Sequence, residues 1–186
     1  MSGKVLVAYA TRTGGTAGIA ETIGDELRRR GHDVDVRDVA TVGDITDYRV
    51  VIVGSAIYMR RWRRTAVRFL RRHAAELHRR QVWLFHSGPL GPDKDTTQSM
   101  PGNVARLVRR IDAVPPVTFA GRLEQQTARG FVARRLAGGE LAGDFRDWDR
   151  VRSWAHALHD AIVAVDVSAW SRDQWRRPTT DQEATR

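Results

Sequence analysis

Five strand-length apolar runs alternate with helical patterns along the first two thirds of the chain, and this alternation constrains the fold more than any other feature. KVLVAYA (4–10), RVVIVGSAIY (49–58) and QVWLFHSG (81–88) are nearly continuous in apolar residues, as strands covered on both faces must be. DVDVRDV (33–39) alternates and reads as a strand nearer an edge; PVTFAGRL (116–123) is the fifth run. Between them, Ile19, Ala20, Ile23 and Leu27 form one helical stripe, and Val67, Leu70, Ala74 and Leu77 form another within residues 63–79. A short helix is expected over 103–112, a further helix at ARGFVARRLA (128–137), and a last one carrying Val151, Trp154, Leu158 and Ile162 with Asp147 as its cap. Strands alternating with helices predict an α/β fold: a doubly wound, three-layer sandwich on a five-stranded parallel sheet in the order 2-1-3-4-5. One domain is expected over 1–165. Residues 166–186 turn polar and read as an extended or disordered tail that Trp170 and Trp175 can dock.

In such sheets ligands bind outside the C-terminal strand ends, where the winding reverses. That rule selects three loops: 10–16, 54–62 and 86–103. Composition removes several chemistries from them. The chain has no cysteine, which excludes disulfides, thiolate metal sites and cysteine nucleophiles. No metal set and no catalytic triad stand out, so no metal is expected. No apolar stretch approaches the roughly 20 residues of a membrane span. The first strand begins too early for a signal peptide, so the expected location is the cytoplasm.

The first loop lies in ATRTGGTAGIA (10–20), between strand and helix. Thr11, Thr13 and Thr16 offer hydroxyls, Gly14 and Gly15 let backbone N–H groups approach an anion, and the helix aims its positive end at the same point. Arg12 is the nearby cation. No P-loop lysine and no dinucleotide GxGxxG spacing are present. Two readings are open on local sequence: a phosphate nest, or an ordinary threonine-glycine turn that caps the helix.

TRTGGT (11–16) fits the flavodoxin phosphate pattern at Thr11, Thr13, Gly14 and Thr16, and on this motif the chain resembles the flavodoxin family. Gly54, Ser55, Ile57 and Tyr58, followed by a basic helix, resemble the second loop of one branch, the flavodoxin-type quinone-dependent protoporphyrinogen oxidases of heme biosynthesis. FAGRL (119–123) and GDFRDWDRVRSWA (143–155) resemble that branch's end segments. The resemblance implies a flavodoxin-like fold with FMN, its phosphate on Thr11, Arg12, Thr13, Gly14, Gly15 and Thr16. It puts the flavin ring between a second loop (Ser55, Ala56, Ile57, Tyr58, Trp62) and a third (Ser87, Gly88, Pro89, Leu90, Gly91). Tyr58 and Trp62 are then the stacking candidates, and His86 the candidate proton donor.

Carrier flavodoxins are similar in sandwiching the ring between two aromatics, yet this chain has none between Phe85 and Phe119. One flavin face is therefore expected to be open, or covered only by residues 92–103. An open face suits direct hydride or electron exchange with a bulky flat partner, a porphyrinogen or a quinone, and the reading is an FMN oxidoreductase. Two alternatives stay open: a non-catalytic electron-transfer module, and a deazaflavin-binding relative. The chain is also strongly basic, at +9, and of its 31 basic residues only Lys4 and Lys94 are lysines. Arginines crowd Arg60–Arg72 around Trp62. That face can meet anionic membrane from the cytoplasmic side, hold propionate or phosphate groups, or stand solvated with no partner. No nucleic-acid motif accompanies it, and no nucleic acid is expected.

Overall fold

The computed structural model describes residues 3–123 and 142–174, with 166–174 as helix backbone only. β1(Lys4–Ala10), β2(Val34–Asp38), β3(Tyr48–Tyr58), β5(Gln81–Ser87) and β6(Val117–Phe119) are parallel, in the order β2-β1-β3-β5-β6. These are the five expected strands in the expected 2-1-3-4-5 order. A sixth, β4(Arg61–Trp62), pairs antiparallel with the end of β3, through Ile57↔Trp62 and Tyr58↔Arg61.

Period-two geometry divides the core between two faces. Leu6, Ala8, Ala10, Val51 and Val53 enter one cluster, with Phe69 and Leu70 of α2(Arg64–Arg72) and Val104 and Val108 of α4(Gly102–Arg110). Val5, Val7, Val50 and Ile52 enter the other. They meet Ile19, Ile23 and Leu27 of α1(Gly15–Arg29) and Val151, Ala155, Leu158 and Ile162 of α5(Trp148–Gln174). That makes three layers. Gly54 leaves its side-chain space to the ring of its β5 partner: a Cβ there would stand 2.1 Å from Phe85 Cζ. Phe85, Phe119 and Trp154 pack edge to face around it, with centroids 5.5–5.9 Å apart.

Three elements differ from the sequence reading. The helix expected over 63–79 breaks at His73, giving α2 and a short α3(Ala74–Leu77). The fifth run divides into β6 and a two-residue β7(Arg122–Leu123), which pairs with β8(Gly143–Asp144). The last helix does not stop near 165 but continues to Gln174, because DVSAWSRDQ contains neither glycine nor proline to end it. Asp147 caps its start, accepting the Arg150 N–H at 3.0 Å. The helix expected at 128–137 and Trp175 lie outside the described residues, and Trp170 stands on helix whose side chains are not described.

Candidate functional site

The C-terminal ends of β1, β3, β5 and β6 open onto a cavity of about 330 Å³. Its first wall is the loop from β1 into α1. Gly14 stands at φ 84, a conformation that costs L side chains energy but not glycine, and its N–H donates to Thr11 Oγ1 at 3.0 Å. This turn lets α1 begin at Gly15 with no side-chain cap and no acidic residue in its first turn. The first N–H groups of a helix have no intrahelical acceptor and carry its positive dipole end. Among the described residues, no carboxylate lies in that first turn or in the cavity lining.

The second wall comes from the end of β3. Ala56, Ile57, Tyr58 and Met59 line it, with Tyr58 40 % and Met59 80 % exposed. The Arg12 guanidinium lies over the Tyr58 ring at 5.1 Å and couples the first wall to the second. Ser87, Gly88 and Leu90 form the third wall, and the Ser87 hydroxyl hydrogen-bonds that of Thr16 at 2.8 Å. A fourth wall, Gly121, Arg122 and Leu123, is bound to the third through Gly121 N–H to Pro89 O at 2.8 Å. Behind it, Arg146 pairs with Asp144 and reaches the Gly15 carbonyl at 3.3 Å. That guanidinium holds the Asp144 carboxyl below the usual carboxylate range.

Of the residues expected at the site, Thr11, Arg12, Thr13, Gly15, Thr16, Ala56, Ile57, Tyr58, Ser87, Gly88 and Leu90 line the cavity. Gly14 shapes it from behind. The remaining five do other things. Trp62 is 2 % exposed and cannot serve as a stacking platform, because the β3–β4 hairpin turns it inward, where its Nε1–H donates to His86 Nδ1 at 3.2 Å. Ser55 is buried beneath the wall and accepts the Arg63 N–H at 3.0 Å. Pro89 offers its carbonyl to Gly121, Gly91 starts a short 3-10 turn, and neither lines the cavity.

His86 is not a proton donor to the site. It is fully buried, away from the cavity lining, and burial pushes its pKa down to about 4. With Nδ1 accepting from Trp62, a neutral ring carries its proton on Nε2, 2.8 Å from Thr118 Oγ1. Both nitrogens are engaged within the core.

Met59, Arg63 and the 121–123 segment are lining residues that the sequence reading missed. FAGRL was visible as a motif, but only the β7–β8 pairing and the Gly121–Pro89 hydrogen bond turn it toward the loop. No residue of 92–103 lines the cavity; Leu90 and Leu123 are apolar lining residues of its third and fourth walls.

The donor set suits a phosphate-bearing group. Threonine hydroxyls and uncapped helix N–H groups converge at one end, Arg122 Cβ lies 3.5 Å from the Cβ position of Gly15, and Arg63 Nε is buried without a hydrogen-bond partner. Among the described residues, the charged groups lining the cavity are Arg12, Arg63 and Arg122, and no carboxylate joins them.

A family model described as a flavodoxin domain matches residues 6–135. The chain belongs to the flavodoxin domain family. It is 45% identical over 39 residues to a flavodoxin of Nitratidesulfovibrio vulgaris (strain DSM 19637 / Miyazaki F), covering 21% of this chain and 26% of that one. The match therefore spans about a quarter of the curated relative. Its fold is similar to that of an archaeal flavodoxin, with TM-score 0.60, 14% identity and coverage of 86% of this chain and 98% of that one. It is also similar to rubredoxin oxygen:oxidoreductase from Desulfovibrio gigas, with TM-score 0.58 and 15% identity. That likeness covers 87% of this chain and 36% of the larger protein. Among the described residues no helix is long and apolar enough to cross a membrane, and no cluster of metal ligands occurs.

Proposed function

We propose that this flavodoxin-domain protein binds FMN and works as an oxidoreductase, exchanging a hydride or electrons between a bulky flat donor and a quinone-type acceptor. The observation that carries the reading is the charge of the cavity: an uncapped helix N-terminus at one end and three arginines along its walls, with no carboxylate among the described lining residues. Bound FMN supplies the redox chemistry, which no side chain of the site provides. Thr11, Thr13, Thr16 and the first N–H groups of α1 hold its phosphate. Tyr58 borders the ring, and Leu90 and Leu123 supply the apolar contact opposite. Arg63 and Arg122 balance the negative charge that reduction adds. Lining without a second aromatic leaves room for direct contact with a flat substrate, and the 50–73, 119–123 and 143–155 segments resemble the quinone-dependent protoporphyrinogen oxidases.

A second reading, an electron-transfer module docked on an acidic or lipid surface, draws on the exposed Arg60, Arg61, Arg64, Arg68, Arg71 and Arg72. Trp62 adds nothing to such docking, because it is buried. One preparation tests these readings. The protein is expected to purify yellow, or to turn yellow with added FMN, and to release FMN on denaturation; a deazaflavin gives a spectrum at shorter wavelength. A colourless chain indifferent to FMN overturns both readings. Anaerobic reduction of the loaded protein by protoporphyrinogen, with reoxidation by a menaquinone analogue, supports the enzyme. A loaded protein that protoporphyrinogen leaves oxidised, but a partner flavoprotein or ferredoxin reduces, supports the module.

A further inference from the structure

A second cavity, of about 240 Å³, lies between α2 and the 39–42 segment that follows β2, and shares no lining residue with the cofactor cavity. Thr65, Arg68 and Arg72 reach it from one face of α2, at helical spacing, and His73 closes its buried end. His73 is 4 % exposed, and neither of its ring nitrogens has a hydrogen-bond partner. The Glu76 carboxylate stands 3.6 Å from Nδ1, beyond hydrogen-bond length. Phe69 covers one side of the ring at 4.8 Å between centroids. A buried imidazole carries at least one N–H in either tautomer, and leaving it unpaired is unfavourable. The ring therefore sits where something in the cavity should answer it.

The charges around it define what that is. Arg68 and Arg72 are exposed and engage no acid among the described residues. Among the described residues, the acids that face His73 are Glu76 and Asp44, and the Asp44 carboxyl is already held by the Thr46 hydroxyl and N–H at 2.6 and 2.9 Å. Arg68, Arg72, Thr65 and His73 thus line one space, in which side chains that donate hydrogen bonds outnumber those that only accept them. Guanidinium forks match tetrahedral oxyanions through paired, charge-assisted hydrogen bonds.

We propose that this cavity is a second anion site, taking inorganic phosphate or the phosphate of a soluble monoester, with Arg68 and Arg72 as the charge clamp and His73 as the buried donor. It is independent of the cofactor reading.

The test is a titration of the nitrogen-15-labelled full chain with inorganic phosphate at constant ionic strength, with and without saturating FMN. The signals of the His73 ring nitrogens are followed, and His73→Gln assigns them. The expected result is a saturable shift at His73 that persists with FMN. Arg72→Gln should weaken it about tenfold, the loss of one charge-assisted hydrogen bond, while FMN affinity stays unchanged. Should His73→Gln fail to fold, the exposed Arg68→Gln and Arg72→Gln variants carry the test, and the ring signals are assigned through neighbouring resonances. Absence of a saturable shift at His73 overturns the proposal, as does a curve that neither arginine variant alters. A response seen only without FMN, and insensitive to Arg72→Gln, places phosphate on the Thr11–Thr16 loop and overturns it equally.

Discussion

Gly14 combines a conformational and a chemical role, since its φ of 84 is what leaves the start of α1 uncapped and open to an anion. A β-branched residue at that φ costs on the order of 1–3 kcal/mol in backbone strain. Gly14→Val is therefore expected to lower FMN affinity more than about tenfold, and Thr13→Ala to lower it by less. Flavin fluorescence titration reads both; unchanged affinity in the two variants would place the phosphate elsewhere. His86 makes a prediction of a different kind. Its folded pKa of about 4 lies below the ordinary 6.5, so the unfolded chain binds the proton more readily. Stability should be full above pH 6.5 and fall as pH drops from 6.5 toward 4, by up to about 3 kcal/mol. Urea unfolding followed across that window, in wild type and in His86→Gln, measures the term. Equal slopes in the two proteins would show that His86 does not cause it.

At the scale of elements, the β3–β4 hairpin is the least expected piece. Its turn residues, Met59 and Arg60, have φ of 50 and 58, the left-handed pair that a two-residue hairpin of this hand requires. Neither residue type favours that region, whereas Asn-Gly does. The double substitution Met59→Asn with Arg60→Gly is expected to stabilise the fold by about 1 kcal/mol, seen as a higher urea midpoint at unchanged slope. A lower midpoint would show that the Met59 and Arg60 side chains contribute more than the turn strain removes. The hairpin also explains why Trp62, which the flavodoxin resemblance offers as a stacking candidate beside Tyr58, stays out of the cavity: the chain reverses at 59–60 and sends it into the core beside His86. The α1–α5 layer, by contrast, is legible in the stripe of Val151, Trp154, Leu158 and Ile162: three of the four are buried, and the half-buried Trp154 packs on the same core. Leu158→Ala should cost about 2–5 kcal/mol for the cavity it leaves, and a loss below 1 kcal/mol would mean that α5 packs loosely.

Across the whole molecule the dominant fact is charge. A net +9 chain places three arginines around the proposed cofactor site. Reduced FMN carries more negative charge at neutral pH than the oxidised form, so these cations favour it. Two unit charges about 4 Å apart at an effective dielectric near 20 interact by about 4 kcal/mol, and by less at longer range. Reduced FMN is therefore expected to bind more tightly than oxidised FMN, and Arg63→Gln to narrow the difference by at least about tenfold, or about 30 mV in a two-electron potential. Potentiometric titration of wild type and variant measures the shift; a potential that Arg63→Gln leaves in place would remove Arg63 from that role.

The sequence by itself determined the strand runs, the helix stripes and the threonine-glycine turn at the first strand end. Each of these is local or periodic: an apolar run, a 3.6-residue stripe, a glycine beside hydroxyls ahead of a helix. Tertiary structure decided which neighbouring side chains serve the cavity and which serve the core. Ser55 and Tyr58 stand three residues apart, yet one is fully buried and the other lines the opening, because β3 ends its burial between them. Arg122 and Leu123 reach the site only because β7 pairs with β8, more than a hundred residues after the loop they cover. Contacts of that sequence separation leave no periodic mark on the chain, and only the folded geometry specifies them.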